Sequence, residues 1–260
     1  MQGSLRERYG DWALVTGASA GIGEAFARRL AREGFSLVLA ARRASKLATL
    51  ADELQSAFGV SVIVAAVDLA RDGFLDEIAR KTEGVEISLL VNNAGAAVTG
   101  RFFQNDATRE AETVRLNCLA PVVLTRHFLP GMVQRRKGGI VIVSSTVSGQ
   151  PTPYWATYAA SKVFDLYFGE ALATELRGTG VDSVVVLPGG TKTEFHAVAD
   201  VREAPMSRAP EQVVETALRS LGHKSSAVDG FGNRARLAIA RLLPRRLVTR
   251  IAGQIMSRRQ

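Results

Sequence analysis

Two tyrosines and a lysine in "YWATYAASKVF" (154–164) stand four residues apart, at Tyr154, Tyr158 and Lys162. Side chains at i and i+4 share a helix face, so the spacing predicts a phenol with an ammonium group one turn away. A phenol ordinarily releases its proton near pH 10, too high for a shuttle at neutrality. An adjacent cation favours the phenolate and moves it towards the range that acid–base catalysis uses. The stretch alone fits equally a helix with one buried tyrosine and a solvated lysine. Whether either phenol reacts, and which, is left to the rest of the chain.

A second candidate is "TGASAGIG" (16–23), between the apolar run "WALVTG" (12–17) and a helical pattern over 22–33. Glycines in such a turn let the main chain bend tightly and approach a pyrophosphate, while the helix N-terminus faces the phosphate charge. Gly17, Gly21 and Gly23 are the three, and Ser19, Ala20 and Ile22 inside the turn join them as cofactor-binding candidates. The next strand-like run ends "LVLAARR", with no carboxylate to hold a ribose 2′-hydroxyl. Arg42 can instead grip a 2′-phosphate in a bidentate fork, with Arg43 beside it, which favours NADP over NAD. The alternative is two solvated arginines opening a helix.

The elements that position these residues follow an alternating pattern. Strand-like runs occupy 12–17, 35–41, 60–69, 87–95, 138–145 and 181–190, with helical patterns over 22–33, 45–58, 73–82, 109–136 and 154–176. Five of the strands are nearly uninterrupted Val, Ile, Leu and Ala, as expected when helices cover both faces of a parallel sheet. This rhythm predicts an α/β fold, a doubly wound, mostly parallel Rossmann-type sheet of six to seven strands. The seventh, at 225–232, is interrupted by Asp229 and Gly230. One catalytic and dinucleotide-binding domain over 1–232 and a tail over 233–260 complete the expected organisation.

Of 260 residues, 47% are hydrophobic and 22% charged, the balance of an ordinary globular protein. The opening residues show no signal-peptide pattern, and no run approaches the length of a spanning helix. Cys118 is the single cysteine, which excludes an internal disulfide and a cysteine-rich metal site; no metal is expected. Cytoplasm is the expected compartment. The net charge of +8 sits in the tail: 233–260 holds eight arginines and no acid, leaving 25 basic and 25 acidic residues in 1–232. A nucleic-acid-binding enzyme would spread that charge over a working face, so no nucleic-acid partner is expected.

"TGASAGIG", "NNAG" (92–95), "YAASK" (158–162) and "PGGTKT" (188–193) occur in an order and spacing that resembles the short-chain dehydrogenase/reductase family over residues 10–222. The resemblance implies a tyrosine acid in Tyr-x-x-x-Lys with a serine about thirteen residues before it. Tyr158, Lys162 and Ser145 fit; Tyr154 has a tyrosine where the lysine should stand. It further implies that Lys162 holds the nicotinamide ribose, that Ser145 binds the substrate oxygen, and that Asn117 supports a water-linked proton path. Asp68, with Leu69 beside it, matches the adenine contact. Asn92 supports the central sheet, while Asn93, Ala94 and Gly95 pass close to the cofactor. Pro188, Gly189, Thr191 and Thr193 match the carboxamide-side loop. Ala20 departs from the pattern, since many NADP-preferring members carry a basic residue there.

The same resemblance places a substrate lid at about 190–208, with Ser145, Val147, Tyr154, Trp155 and Phe195 as substrate-binding candidates, and Phe102, Phe103 and His196 near the mouth. This aromatic, weakly charged lining predicts an apolar carbonyl or secondary alcohol as substrate. A homodimer or homotetramer joined through the helices at 109–136 and 154–176 is implied. A lyase or epimerase would carry a different glycine spacing; the alternative function is a non-catalytic NADP(H)-binding regulator. In the tail, Leu247, Ile251 and Ile255 run beside Val248, Ala252 and Met256 at helical spacing among arginines. Such a helix can pack on protein, including over the substrate mouth, or lie peripherally on an anionic membrane surface.

Overall fold

The chain is described by a computed structural model covering residues 4–195, 199 and 207–257, with the main chain only at 241. Seven parallel strands form one sheet: β1 (Trp12–Thr16), β2 (Ser36–Ala41), β3 (Val62–Ala66), β4 (Ile87–Asn92), β5 (Gly138–Val143), β6 (Val181–Leu187) and β7 (Ser226–Val228). Their order is β3-β2-β1-β4-β5-β6-β7. The order reverses between β1 and β4, and ligands in open α/β sheets bind beyond the carboxyl ends of the strands at that point.

Strand side chains alternate between two cores. Ala13, Val15, Leu37, Leu39, Leu89 and Val91 enter one; Leu14, Val38, Ala40 and Leu90 enter the other. Helices α2 (Gly21–Arg32), α3 (Ala44–Phe58) and α8 (Pro210–Ser220) close the first face through Phe26, Leu30, Leu47, Leu54 and Val213. Helices α4 (Phe74–Lys81), α6 (Ala120–Gln134) and α7 (Ala156–Glu175) close the second through Ile78, Leu124, Met132, Leu166 and Leu172. A sheet buried on both faces needs continuous apolar strands, and this one has them.

Several boundaries differ from the sequence reading. The four runs at 60–69, 87–95, 138–145 and 181–190 leave the ladder early, at Ala66, Asn92, Val143 and Leu187. The predicted helix over 109–136 begins two residues sooner, because Asp106 accepts hydrogen bonds from the main-chain N–H groups of Thr108 and Arg109. It is also divided: α5 (Ala107–Val114) passes through a π-helical turn (Arg115–Leu119) into α6. Two helices were not predicted: α1 (Leu5–Tyr9), whose Ser4–Glu7 capping box closes its first turn, and α8.

The predicted helix over 154–176 starts at Ala156, and Tyr154 lies before it with a left-handed φ of 67°. Its carbonyl accepts a hydrogen bond from Gly100 N–H at 2.9 Å, which holds it out of the helix. Tyr154 therefore shares no helix face with Tyr158 and Lys162. The seventh strand exists but spans only three residues; Asp229 N–H still donates to Leu187 O before Gly230 turns the chain away at φ 82°. The tail is two helices, α9 (Phe231–Leu242) and α10 (Arg245–Ser257), divided at Pro244, which disfavours helix at the residue before it. Val248 and Ala252 of α10 are buried, so one face of the tail packs on its own domain. Among the described residues no helix is long and apolar enough to cross a membrane.

Candidate active site

The chain segments that leave the sheet early converge on one cavity of about 930 Å³ at the β1/β4 switch point. Gly17, with φ 66°, makes the turn out of β1; a Cβ there would lie 2.8 Å from Asn93 Nδ2. Asn93 is fixed in return, since its Nδ2 donates to Thr16 O at 2.8 Å and Thr16 Oγ1 accepts from the N–H groups of Asn93 and Ala94. Gly23 lines no part of the cavity. A Cβ on it would collide with the Gly17 carbonyl, so its role is to let α2 sit against the turn. Ala20, before α2, supplies no side-chain cap, and first-turn N–H groups stay available to an anion. Ser19, Ala20, Gly21 and Ile22 line this end.

Arg42 and Arg43 border the cavity beyond β2, with Asp68 and Leu69 across from them. Arg43 donates to Ser19 Oγ at 3.0 Å and to Glu194 Oε2 at 2.6 Å, and Lys46 donates to Glu194 Oε1 at 2.7 Å. Hydrogen bonds from Lys46 and Arg43 hold the Glu194 carboxyl below the usual carboxylate range. Arg42 has no ion-pair partner among the described residues. Asp68 Oδ1 is engaged by Ala70 N–H at 3.0 Å, which fixes the turn after β3. The sequence reading missed Glu194 and Lys46, because nothing local shows that a loop 148 residues later reaches the start of α3.

At the other end stand Tyr158, Lys162 and Ser145, all buried and all on the cavity wall. Lys162 Nζ lies 5.9 Å from the Tyr158 ring centroid. It donates to Val143 O at 2.9 Å and to Asp165 Oδ2 at 2.8 Å. The lysine favours the phenolate, as expected, but is not the largest influence on the phenol. Burial pushes the Tyr158 phenol above its ordinary value; the Lys162 ammonium and a hydrogen bond to Ser145 oppose this, and Asp165 adds to it. Burial also works against the Lys162 charge, but Asp165 and Tyr158 outweigh it and keep the ammonium protonated. Asn117, in the π-helical turn, lies behind the wall. Its Nδ2 donates to Ala96 O and Ser161 Oγ, both at 2.9 Å, and its Oδ1 accepts from Ala96 N–H at 3.0 Å. Those bonds pin the segment after "NNAG" to α7; Asn92 is tied to α6 by Nδ2 donating to Thr125 Oγ1.

Pro188, Gly189, Thr191 and Thr193 line the cavity after β6, as do Ala94 and Gly95 after β4. Of the substrate candidates, Val147, Trp155 and Phe195 line it, the last two with ring centroids 5.2 and 5.5 Å from that of Tyr158. Tyr154 does not; it packs behind Trp155 in a small apolar cluster. Phe102 and Phe103 are 62% and 77% exposed and take no part in the wall. His196 lies outside the described residues. The tail adds Asn233, Arg236 and Leu237 of α9 and Ala252, Ile255 and Met256 of α10 to the wall. No group of three His, Cys, Asp or Glu side chains that could hold a metal ion occurs among the described residues.

Comparison with known proteins gives the same outline. The sequence model for the short chain dehydrogenase family matches residues 11–204. A very-long-chain 3-oxoacyl-CoA reductase of Neurospora crassa is 36% identical over 222 residues, 84% of this chain and 66% of that protein. The chain thus spans just under two thirds of the length of that relative. A 7beta-hydroxysteroid dehydrogenase of Collinsella aerofaciens is 29% identical over 89% of this chain and 90% of its own. A solved structure from work on 7beta-hydroxysteroid dehydrogenase stereoselectivity superposes with a TM-score of 0.90 at 27% identity, covering 96% of this chain and 99% of that one. A short-chain dehydrogenase from Sphingobium yanoikuyae in complex with NADPH gives 0.79 at 32% identity, over 89% and 93%.

Proposed function

The chain belongs to the short-chain dehydrogenase/reductase family of oxidoreductases, and on that premise we propose that it uses NADP(H) to interconvert an apolar ketone and its secondary alcohol. One observation carries this reading: Tyr158, Ser145 and Lys162 share one buried wall of the cavity that begins at the glycine turn. The cavity fits a dinucleotide, since it is lined from the Gly17–Ile22 turn at the uncapped α2 N-terminus through to Tyr158 and Lys162. Gly17 to Ile22 would hold its pyrophosphate, and Arg42, Arg43 and Lys46 its 2′-phosphate. The bound nicotinamide supplies or accepts the hydride.

The chain's own residues manage the proton. Ser145 Oγ donates to the substrate oxygen as charge builds on it. Tyr158, kept protonated by its burial, gives that oxygen the proton in the reducing direction. Lys162 supplies fixed positive charge beside the phenol while it gives the proton up. Trp155, Phe195, Leu237 and Met256 surround the substrate with apolar surface and shed water, which suits a long acyl or polycyclic ketone better than a sugar. Exposed Phe164 and Tyr167 on α7 and Leu119 beside α6 support self-association through those helices.

The reading is tested by following nicotinamide absorbance with NADPH or NADH against 3-oxoacyl thioesters, hydroxysteroid ketones and bulky aryl ketones. Turnover of at least one class with NADPH, lowered at least about 100-fold in Tyr158→Phe, is expected. NADPH binding without turnover of any of them would favour the regulatory alternative.

A further inference from the structure

The two tail helices that wall the cavity also carry a largely exposed apolar face. On α9, Phe231, Ala235, Ala238, Ile239 and Leu242 fall in a sector of about 100° at 100° per residue. Phe231, Ile239 and Leu242 are 82%, 59% and 85% exposed. The opposite side of α9 does what a globular helix face should, with Leu237 buried against the cavity. On α10, Leu247 and Ile251 form an i, i+4 pair, 43% and 41% exposed, beside the buried Val248 and Ala252, and Ile255 carries the row on to the cavity mouth. Large apolar side chains are thus presented outward by both helices.

Positive charge flanks them. Arg234 and Arg236 lie on either side of the α9 stripe, and Arg245, Arg246 and Arg250 are exposed on α10. None of these five has a carboxylate partner among the described residues. Several arginines of the body, by contrast, are paired: Arg28, Arg29, Arg43 and Arg208 each hold a Glu or Asp. The tail contains no acid at all.

We propose that the outward face of α9 and α10 docks on an anionic phospholipid surface, with its apolar stripe among the acyl chains and its arginines at the headgroups. An outward apolar stripe bordered by arginine is what interfacial binding requires, since each component alone is weak. A second copy is the poorer occupant: a symmetric contact would set this acid-free face against itself, arginine facing arginine. The same two helices wall the cavity, so docking would bring the substrate mouth to the bilayer, where an apolar ketone concentrates. That delivery step rests on the proposed reduction; the docking does not.

Full-length protein is sedimented with phosphatidylcholine vesicles and with vesicles containing one third phosphatidylglycerol. Binding to the anionic vesicles only is expected, lost at about 1 M salt, where the screening length falls to about 3 Å. Phe231→Ser/Leu242→Ser and Arg245→Gln/Arg246→Gln alter surface side chains outside the cavity wall. Each pair should weaken anionic-vesicle binding by about tenfold or more, while NADPH affinity stays unchanged. Equal binding to both vesicle types, no binding, or unaltered binding by both variant pairs would overturn the proposal. So would a variant that loses a dimer on gel filtration yet binds vesicles normally, because a second copy would then be the occupant. NADPH affinity is read separately, so failure of docking leaves the redox reading intact, and the reverse.

Discussion

Lys162 Nζ lies 2.8 Å from Asp165 Oδ2, three residues on along α7, with both side chains almost wholly buried. The ammonium that faces the phenol is therefore half of an ion pair, and its field at Tyr158 is partly cancelled. Burial is the main cause of the raised phenol, and the Asp165 carboxylate adds to it. Proton donation in reduction should then be insensitive to pH through neutrality. Alcohol oxidation, which needs the phenolate, should rise with pH on the alkaline side. Asp165→Asn removes a carboxylate that adds to the effect of burial on the phenol, so that alkaline limb of kcat/KM should move to lower pH. An unmoved limb would leave Asp165 a merely structural role. Breaking a buried pair costs about 3–5 kcal/mol, so Tm is read alongside.

Tyr158→Phe keeps the ring packing against Trp155 and Phe195 and removes only the hydroxyl. Loss of a positioned proton donor lowers kcat by about 10²–10⁴-fold. Ser145→Ala should cost about 10²–10³-fold, because it removes a single hydrogen-bond donor to the developing charge. Neither should change the NADPH dissociation constant by more than a few-fold; fluorescence titration checks this. A large loss of NADPH binding in either would argue that these groups only shape the cavity.

How far these residues could be read from the sequence depended on whether their partners are local. The glycine turn, the strand alternation and Tyr158–Lys162 announce themselves within a few residues, and the two cores follow from period-2 and helical spacing. The Ser4–Glu7 capping box and Ala209-Pro210 were legible signals for α1 and α8 that went unused. Strand ends were overestimated because the runs were carried past Ala66, Asn92, Val143 and Leu187 to include Asp68, Asn93, Ser145 and Pro188, which leave the ladder to build the site. Asp165, at i+3 from Lys162, was locally visible, but its burial depends on the sheet beneath α7. Contacts such as Glu194 with Arg43 join distant segments, and no local pattern encodes them.

Glu194 occupies the basic groups that would meet a 2′-phosphate, Arg43 at 2.6 Å and Lys46 at 2.7 Å. A carboxylate there competes with a phosphate for the same donors. Glu194→Gln should therefore tighten NADPH binding by a few-fold and leave NADH, which lacks that phosphate, unchanged. Arg43→Ala should weaken NADPH selectively. If Arg42→Ala alone does so, the 2′-phosphate is held on the other arginine, as the sequence reading expected. Parallel titrations of the three variants with both nucleotides decide between the arginines.

The last prediction concerns the segment between β6 and α8, whose two ends are clamped together. Thr191 and Arg208 form a parallel bridge, with Lys192 N–H donating to Arg208 O and Arg208 N–H to Gly190 O, each at 2.9 Å. Arg208 Nε in turn donates to Asp229 Oδ2 at 2.6 Å, and Thr216 Oγ1 to Asp229 Oδ1 at 2.7 Å. Asp229 is fully buried, so the acid that interrupts the seventh strand is the anchor for this clamp. Asp229→Ala removes the carboxylate from a half-buried Arg208 guanidinium and leaves the Thr216 hydroxyl only its bond to Gln212 O at 3.0 Å, at a cost of about 1–3 kcal/mol. Thr191 and Phe195 would lose their fixed position on the cavity wall while Gly17–Ile22 and Arg43 keep theirs. The substrate KM should therefore rise several-fold with the NADPH dissociation constant unchanged. A matching loss of both would mean that the variant has disturbed the sheet as a whole.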